Sequence, residues 1–146
     1  MKALKRFFTA LTNRSPSVEL SWLIFMQTPA ATVVTDDGGT IVNVNHAFEM
    51  LTGYGENETL GERMSLLKSG QHEHTFYKSF WQKLLESGQH DCEIYNCCKD
   101  GTVLLMHVKV MSIDSDNKRY FVATYEDITQ QKNWQIATAI WQPTMY

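Results

Sequence analysis

The chain has 146 residues, 43% of them hydrophobic and 20% charged, and a formal net charge of −3. This balance fits one folded domain with room for extensions and excludes an intrinsically disordered chain. The longest unbroken apolar run, Trp22 to Met26, falls far short of the roughly 20 residues that a membrane helix requires.

Residues 1–16 hold Lys2, Lys5, Arg6 and Arg14 and no acid, with Leu4, Phe7, Phe8 and Leu11 at helical spacing. A basic amphipathic helix is expected, packed on its own domain or on a second copy; contact with an anionic membrane is the alternative. The segment has the basic start of a signal peptide but no long apolar core or cleavage site, so a cytoplasmic location is expected. The rest of the chain is acidic, which argues against nucleic acid as a partner. Cys92, Cys97 and Cys98 are odd in number and include an adjacent pair. That is a poor disulfide framework and lacks the four ligands of a zinc site, so they read as structural cysteines in a reducing compartment.

Ser15-Pro16-Ser17 ends the first helix, and Ser17 caps a second that runs to Gln27 before Thr28-Pro29. Residues 1–28 thus form a helical extension. Residues 31–35 are rich in β-branched side chains and read as a strand. Asp36-Asp37-Gly38-Gly39 is a hairpin turn, since glycine supplies the positive φ of tight reversals. Residues 41–44 return as the second strand. Asn45 is suited to cap the next helix, its side chain accepting an orphan backbone N–H. The stripe expected to be buried there is Ala47, Phe48, Met50 and Leu51, and Gly53 stops the helix.

Residues 55–71 carry two weaker helical turns, around 58–60 and 64–67. The strongest helix spans 74–85, with Phe76, Phe80 and Leu84 on one stripe and Tyr77, Trp81 and Leu85 beside it. After Ser87-Gly88 come three strands, 90–96, 102–112 and 119–126, reversed at Lys99-Asp100-Gly101 and at 114–117. Leu104, Met106, Val108 and Val110 share one face of the middle strand and His107 takes the other. Asp127-Ile128-Thr129 leads into a helical tail, giving a domain over 29–129 and a tail over 130–146. Runs of strands and helices, without strict alternation, indicate α+β with an antiparallel sheet. Helices in mid-chain must cover one face of that sheet, and the concave interior between them suits a small ligand.

The run from Asn45 to Tyr54 (NHAFEMLTGY), followed by Lys99-Asp100-Gly101 and Asp127-Ile128-Thr129, resembles the PAS domain family over about residues 29–132. The resemblance implies a five-stranded antiparallel sheet with helices on one face. It also implies a sensory role: binding a small ligand or cofactor and relaying the change to an effector protein or a fused output domain. A homodimer through the N-terminal helices is expected. The alternative is a ligand-free dimerisation or protein-interaction module whose aromatic, Met-rich interior packs shut.

A narrower resemblance is to flavin-binding redox-sensor PAS domains. It rests on Leu51-Thr52-Gly53-Tyr54, Leu66-Leu67 before Ser69-Gly70, Trp81, and Asn96 just before Lys99-Asp100-Gly101. It admits FAD as a cofactor. In that subfamily a tryptophan and an asparagine on the strand after the long helix contact the flavin. Here Asn96 matches the asparagine, His90 holds the tryptophan position, and Asn96-Cys97-Cys98-Lys99 stands where Asn-Arg-Arg-Lys is usual. Alternation independently puts His90, Cys92, Ile94 and Asn96 on one face, the less charged one. Ligand candidates are therefore Asn96, His90 and Ile94 on this strand, and Trp81 and Phe80 on the long helix. Asn45, Phe48 and Leu66 complete the set. The alternatives are Asn96 as the partner of a loop backbone group, and Trp81 and Phe80 as plain core.

Light-sensing flavin PAS domains carry an adduct-forming cysteine where this chain has Met64, so that photochemistry is not expected. Haem is not expected either, because His72 and His74 sit at the start of the long helix, a poor place for an axial ligand. No metal is expected. No nucleophile with an evident base and no phosphate-cradling glycine loop emerges, so no enzymatic activity is expected.

Overall fold

A computed structural model describes residues 16–141; the helix expected around Leu4, Phe7, Phe8 and Leu11, and residues 142–146, lie outside them. The chain runs α1 (Pro16–Gln27), β1 (Ala31–Asp36), β2 (Ile41–Val44), α2 (His46–Thr52), α3 (Glu56–Thr59), a 3-10 turn (Met64–Leu67), α4 (His74–Ser87), β3 (Gln89–Cys97), β4 (Val103–Ser115), β5 (Lys118–Asp127) and α5 (Thr129–Trp141). The strands form one antiparallel sheet in the order β2-β1-β5-β4-β3. The α+β class and the five strands expected from sequence are what the fold contains. The first and last strands pair at its centre, with Val33 opposite Ala123.

Local chemistry sets each reversal. Asp36 Oδ1 accepts from Gly38 N at 3.0 Å and Thr40 N at 2.9 Å, and Gly39 takes a φ of 81°, which glycine adopts without a Cβ penalty. The β4–β5 hairpin is longer than its polar sequence suggests. Asp114 and Ser115 pair across it with Arg119 and Lys118, leaving Asp116 (φ 51°) and Asn117 (φ 60°) as the two turn residues. Two left-handed central residues match the right-handed strand twist, and Asp and Asn tolerate that region best after glycine.

The core lies between one sheet face and α2 and α4, around Val33, Phe48, Leu84, Met106, Val108 and Phe121. Two stripe assignments are corrected. Met50 is 74% exposed, while Phe48 and Thr52 are buried. Two residues of helix turn the side chain about 200° away from Phe48, whereas Thr52, one turn on, falls beneath it. Thr52 Oγ1 donates to Phe48 O at 2.9 Å. Leu85 is likewise 56% exposed beside the fully buried Leu84.

The exit from the sheet is latched. Thr129 N and Oγ1 both donate to Asp127 Oδ1, at 3.0 and 2.7 Å. Leu105 N donates to Thr129 Oγ1 at 3.0 Å, and Ile128 N to Leu105 O at 2.9 Å. The start of α5 is thereby fixed to β4. Among the described residues no helix is long and apolar enough to cross a membrane.

Candidate functional site

The start of α2 is organised by one side chain. Asn45 is fully buried. Its Oδ1 accepts from Phe48 N at 3.0 Å and from Thr32 N at 2.9 Å. Its Nδ2 donates to Ala30 O at 2.8 Å and Thr28 O at 3.3 Å. Both ends of the carboxamide are therefore spent on backbone, and Asn45 ties α2 to the segment entering β1. Phe48, also fully buried, packs edge-on against Tyr125 at 6.0 Å. Both residues stand behind the site as scaffold.

The site is a cavity of about 230 Å³ between the sheet, the 3-10 turn and α4. Val33, Val108, Phe121 and Ala123 form its floor, Phe80, Trp81 and Leu84 its roof, and Ile94 and Asn96 one end wall. The alternation of β3 does what its sequence suggested. Ile94 and Asn96 are buried at 9% and 4% exposure, while Glu93 and Tyr95 face solvent. Trp81 meets Phe121 edge-on at 5.5 Å and Phe80 at 5.9 Å.

Four of the expected site residues, Asn96, Ile94, Trp81 and Phe80, thus come together on one cavity. The others do not line it. His90 is half-buried and lies on the seam between β3 and α4, its ring edge-on to Phe80 at 5.0 Å. Leu66 is displaced by its neighbour Leu67, which is 2% exposed and lines the cavity with Met64. In a 3-10 turn the side chains at i and i+3 eclipse, so Met64 and Leu67 share the inner side and Leu66 points elsewhere.

Polar groups complete the lining. The Tyr77 hydroxyl is buried and has no hydrogen-bond partner among the described residues. Burial pushes its pKa up, which keeps it protonated. Lys68 Nζ lies 4.4 Å from the centre of the Tyr77 ring, within cation–π range. Lys68 is also backbone-bridged to Asn96. Arg63, at the other flank of the 3-10 turn, donates from Nη2 to Gly38 O at 2.8 Å. The Asn96 side chain donates from Nδ2 to Met106 Sδ at 3.5 Å, and a thioether is a weak acceptor. Only the pairing of a loop with β3 brings Lys68 to Asn96, and no sequence signal announces it.

His72 closes the edge beside this end. Tyr95 N donates to His72 Nε2 at 2.8 Å, and the ring stacks on Phe76 with centroids 4.1 Å apart. Burial lowers its pKa, and its Nε2 is occupied by backbone. His107 pairs with Asp91 on the outer sheet face, on the side that alternation assigned to it. None of the cysteines lines the cavity. The Cys92 thiol is half-buried, and burial first, then the Asp91 charge, pushes its pKa up to about 11. Among the described residues no cluster of His, Cys, Asp or Glu could hold a metal ion.

The sequence pattern of the PAS domain family matches residues 29–130. A sensor histidine kinase, TmoS of Ectopseudomonas mendocina, is 30% identical over 122 residues, covering 80% of this chain and 12% of the kinase. The nitrogen fixation regulatory protein of Klebsiella pneumoniae is 27% identical over 122 residues, covering 82% of this chain and 24% of that protein. The chain therefore spans a quarter or less of these two relatives. Among solved structures, the PAS domain of a Colwellia psychrerythraea protein superposes with a TM-score of 0.71 at 22% identity, covering 78% of this chain and 98% of that one.

Proposed function

The chain belongs to the PAS domain family, and we propose that it is a sensory signalling module whose cavity binds a small, flat, largely apolar ligand. One observation carries this reading. Asn96 stands buried in the cavity wall with its amide given only to a sulfur, so a ligand with a better acceptor gains a hydrogen bond there. An ordinary core position would hold an apolar residue. Apolar walls with a few placed polar groups are the usual make-up of a ligand pocket.

A flavin has the flat shape this lining favours, but its three fused rings exceed what about 230 Å³ holds, so it would bind only with the cavity widened. Asn96, Trp81 and Phe80 would hold its ring system, and the flavin would supply redox chemistry. The position of the light-reactive cysteine is Met64, and no thiol lines the cavity. A thiol adduct therefore has no thiol to form from this chain's own lining.

The relay runs through the latch at Thr129, which couples β4 and β5 to α5. A ligand that binds two arrangements of this junction with different affinity shifts their populations, and α5 carries the shift to a partner protein or output domain. The chain itself performs no reaction in this scheme. The test is the absorbance spectrum and native mass of the purified protein, with Asn96→Ala alongside. A co-purifying small molecule that the variant loses, at nearly unchanged melting temperature, supports the assignment. A folded variant that keeps the molecule, or a variant that loses it only by unfolding, would falsify it.

A second observation favours homodimerisation as part of this function. α1 exposes Leu20 (57%), Leu23 and Ile24, and α5 exposes Trp134, Ile136, Ile140 and Trp141 (83%). Exposed apolar rows of this extent mark association surfaces. Light scattering on the intact chain should give a dimer, and Leu20→Glu with Ile24→Glu a monomer.

A further inference from the structure

Three residues that carry hydrogen-bond donors, Asn96, Lys68 and Tyr77, line the same cavity. Lys68 links the other two: its backbone is bridged to Asn96, and its ammonium lies over the Tyr77 ring. Tyr77 Oη is buried without a hydrogen-bond partner, and Asn96 Nδ2 has only the Met106 thioether. Each is a donor awaiting a stronger acceptor, and an ionised oxygen is the strongest on offer. A buried hydroxyl left unsatisfied costs free energy that such an acceptor restores.

The charge balance is one-sided. Arg63 and Lys68 flank the 3-10 turn at the cavity, and no Asp or Glu lines it. Among the described residues neither cation has an ion-pair partner. A cationic ligand would be repelled there, and a neutral one would gain less from the ammonium than an anion does. Size narrows the class further. An apolar cavity of roughly 150 Å³ admits benzene, so one of about 230 Å³ suits a fused pair of rings.

We propose that this corner receives the carboxylate of a flat aromatic acid, with its rings between α4 and the sheet and its oxygens at Lys68, Tyr77 and Asn96. The assignment rests on the reading of the cavity as a ligand site.

The test uses the intact chain, with 2-naphthoate and its neutral counterpart 2-naphthamide as probes. Binding is followed by calorimetry and by quenching of tryptophan fluorescence, since Trp81 forms part of the cavity roof. Charge-assisted hydrogen bonds should make naphthoate at least about tenfold tighter than naphthamide. Lys68→Met, at an exposed position, should abolish most of that preference. Tyr77→Phe should reduce the preference as well. Equal affinity for the two probes, or a preference that survives both substitutions, overturns the carboxylate assignment and leaves the ligand cavity standing. If neither probe binds, the carboxylate assignment is overturned, and the spectrum and native mass of the purified protein decide the cavity reading separately.

Discussion

Replacing Asn45 with alanine separates scaffold from site. The substitution deletes four hydrogen bonds at once: two accepted from Thr32 N and Phe48 N, two donated to Ala30 O and Thr28 O. Loss of the helix cap alone costs about 0.5–2 kcal/mol. The Thr32 N–H is left buried, and each such orphan adds about 1–3 kcal/mol. The Thr28 contact is the longest, at 3.3 Å, and adds little. The expected loss is therefore about 3–5 kcal/mol, a large share of the roughly 5–15 kcal/mol that holds a domain together. In urea unfolding, with a slope near 1.5 kcal/mol/M, the midpoint should fall by about 2 M or more. Asn45→Asp is the sharper variant. It keeps the cap acceptor but turns an oxygen toward the Ala30 and Thr28 carbonyls, so it should recover only part of the loss, and less as the carboxylate ionises. A loss below about 1 kcal/mol for Asn45→Ala would mean that water replaces the carboxamide, and the account of α2 as pinned by this residue would be wrong.

Other perturbations address separate parts of the molecule. Burial lowers the His72 pKa, so on acidification the unfolded chain takes up the proton first. The stability from this group is complete above the unfolded value of about 6.5 and is lost as pH falls toward the folded one. The difference in urea midpoint between wild type and His72→Gln, measured at pH 7.5 and pH 5, should follow that direction; a pH-independent difference would contradict it. Gly53→Ala should cost about 1–2 kcal/mol, because Gly53 sits at φ 78° and a Cβ would stand 3.4 Å from Lys99 Cβ; thermal melts would read it. Leu84→Ala, at a fully buried position on the cavity roof, should cost about 2–5 kcal/mol in denaturant. A near-neutral result would mean that the roof collapses onto the space.

The sequence carried much of the scaffold because its signals are local. Asn45 as cap, Gly53 and Gly88 as left-handed stops, and the alternation of β3 all act within a few residues of where they are written. The same locality explains the misassigned stripes. Met50 and Leu85 are as apolar as their buried neighbours, and only the angle at which a helix meets the sheet decides which of several adjacent residues is covered. The β4–β5 hairpin outruns its apolar pattern for a related reason, since polar residues at a sheet's far end pair as readily as apolar ones once the turn geometry is fixed.

The cavity divides in the same way. Asn96, Ile94, Trp81 and Phe80 were legible because each faces inward through the period of its own element. Tyr77 shares the row of Trp81 on the long helix, whereas Lys68 and Arg63 gain their place from contacts between segments far apart in the chain. The pairing of Lys68 with Asn96 and of Arg63 with Gly38 is long-range. Period and capping chemistry fixed which face each residue turns. The closing of the 3-10 turn and α4 over the sheet decided which of those faces share a space, because that depends on packing between elements and not on the period of any one of them.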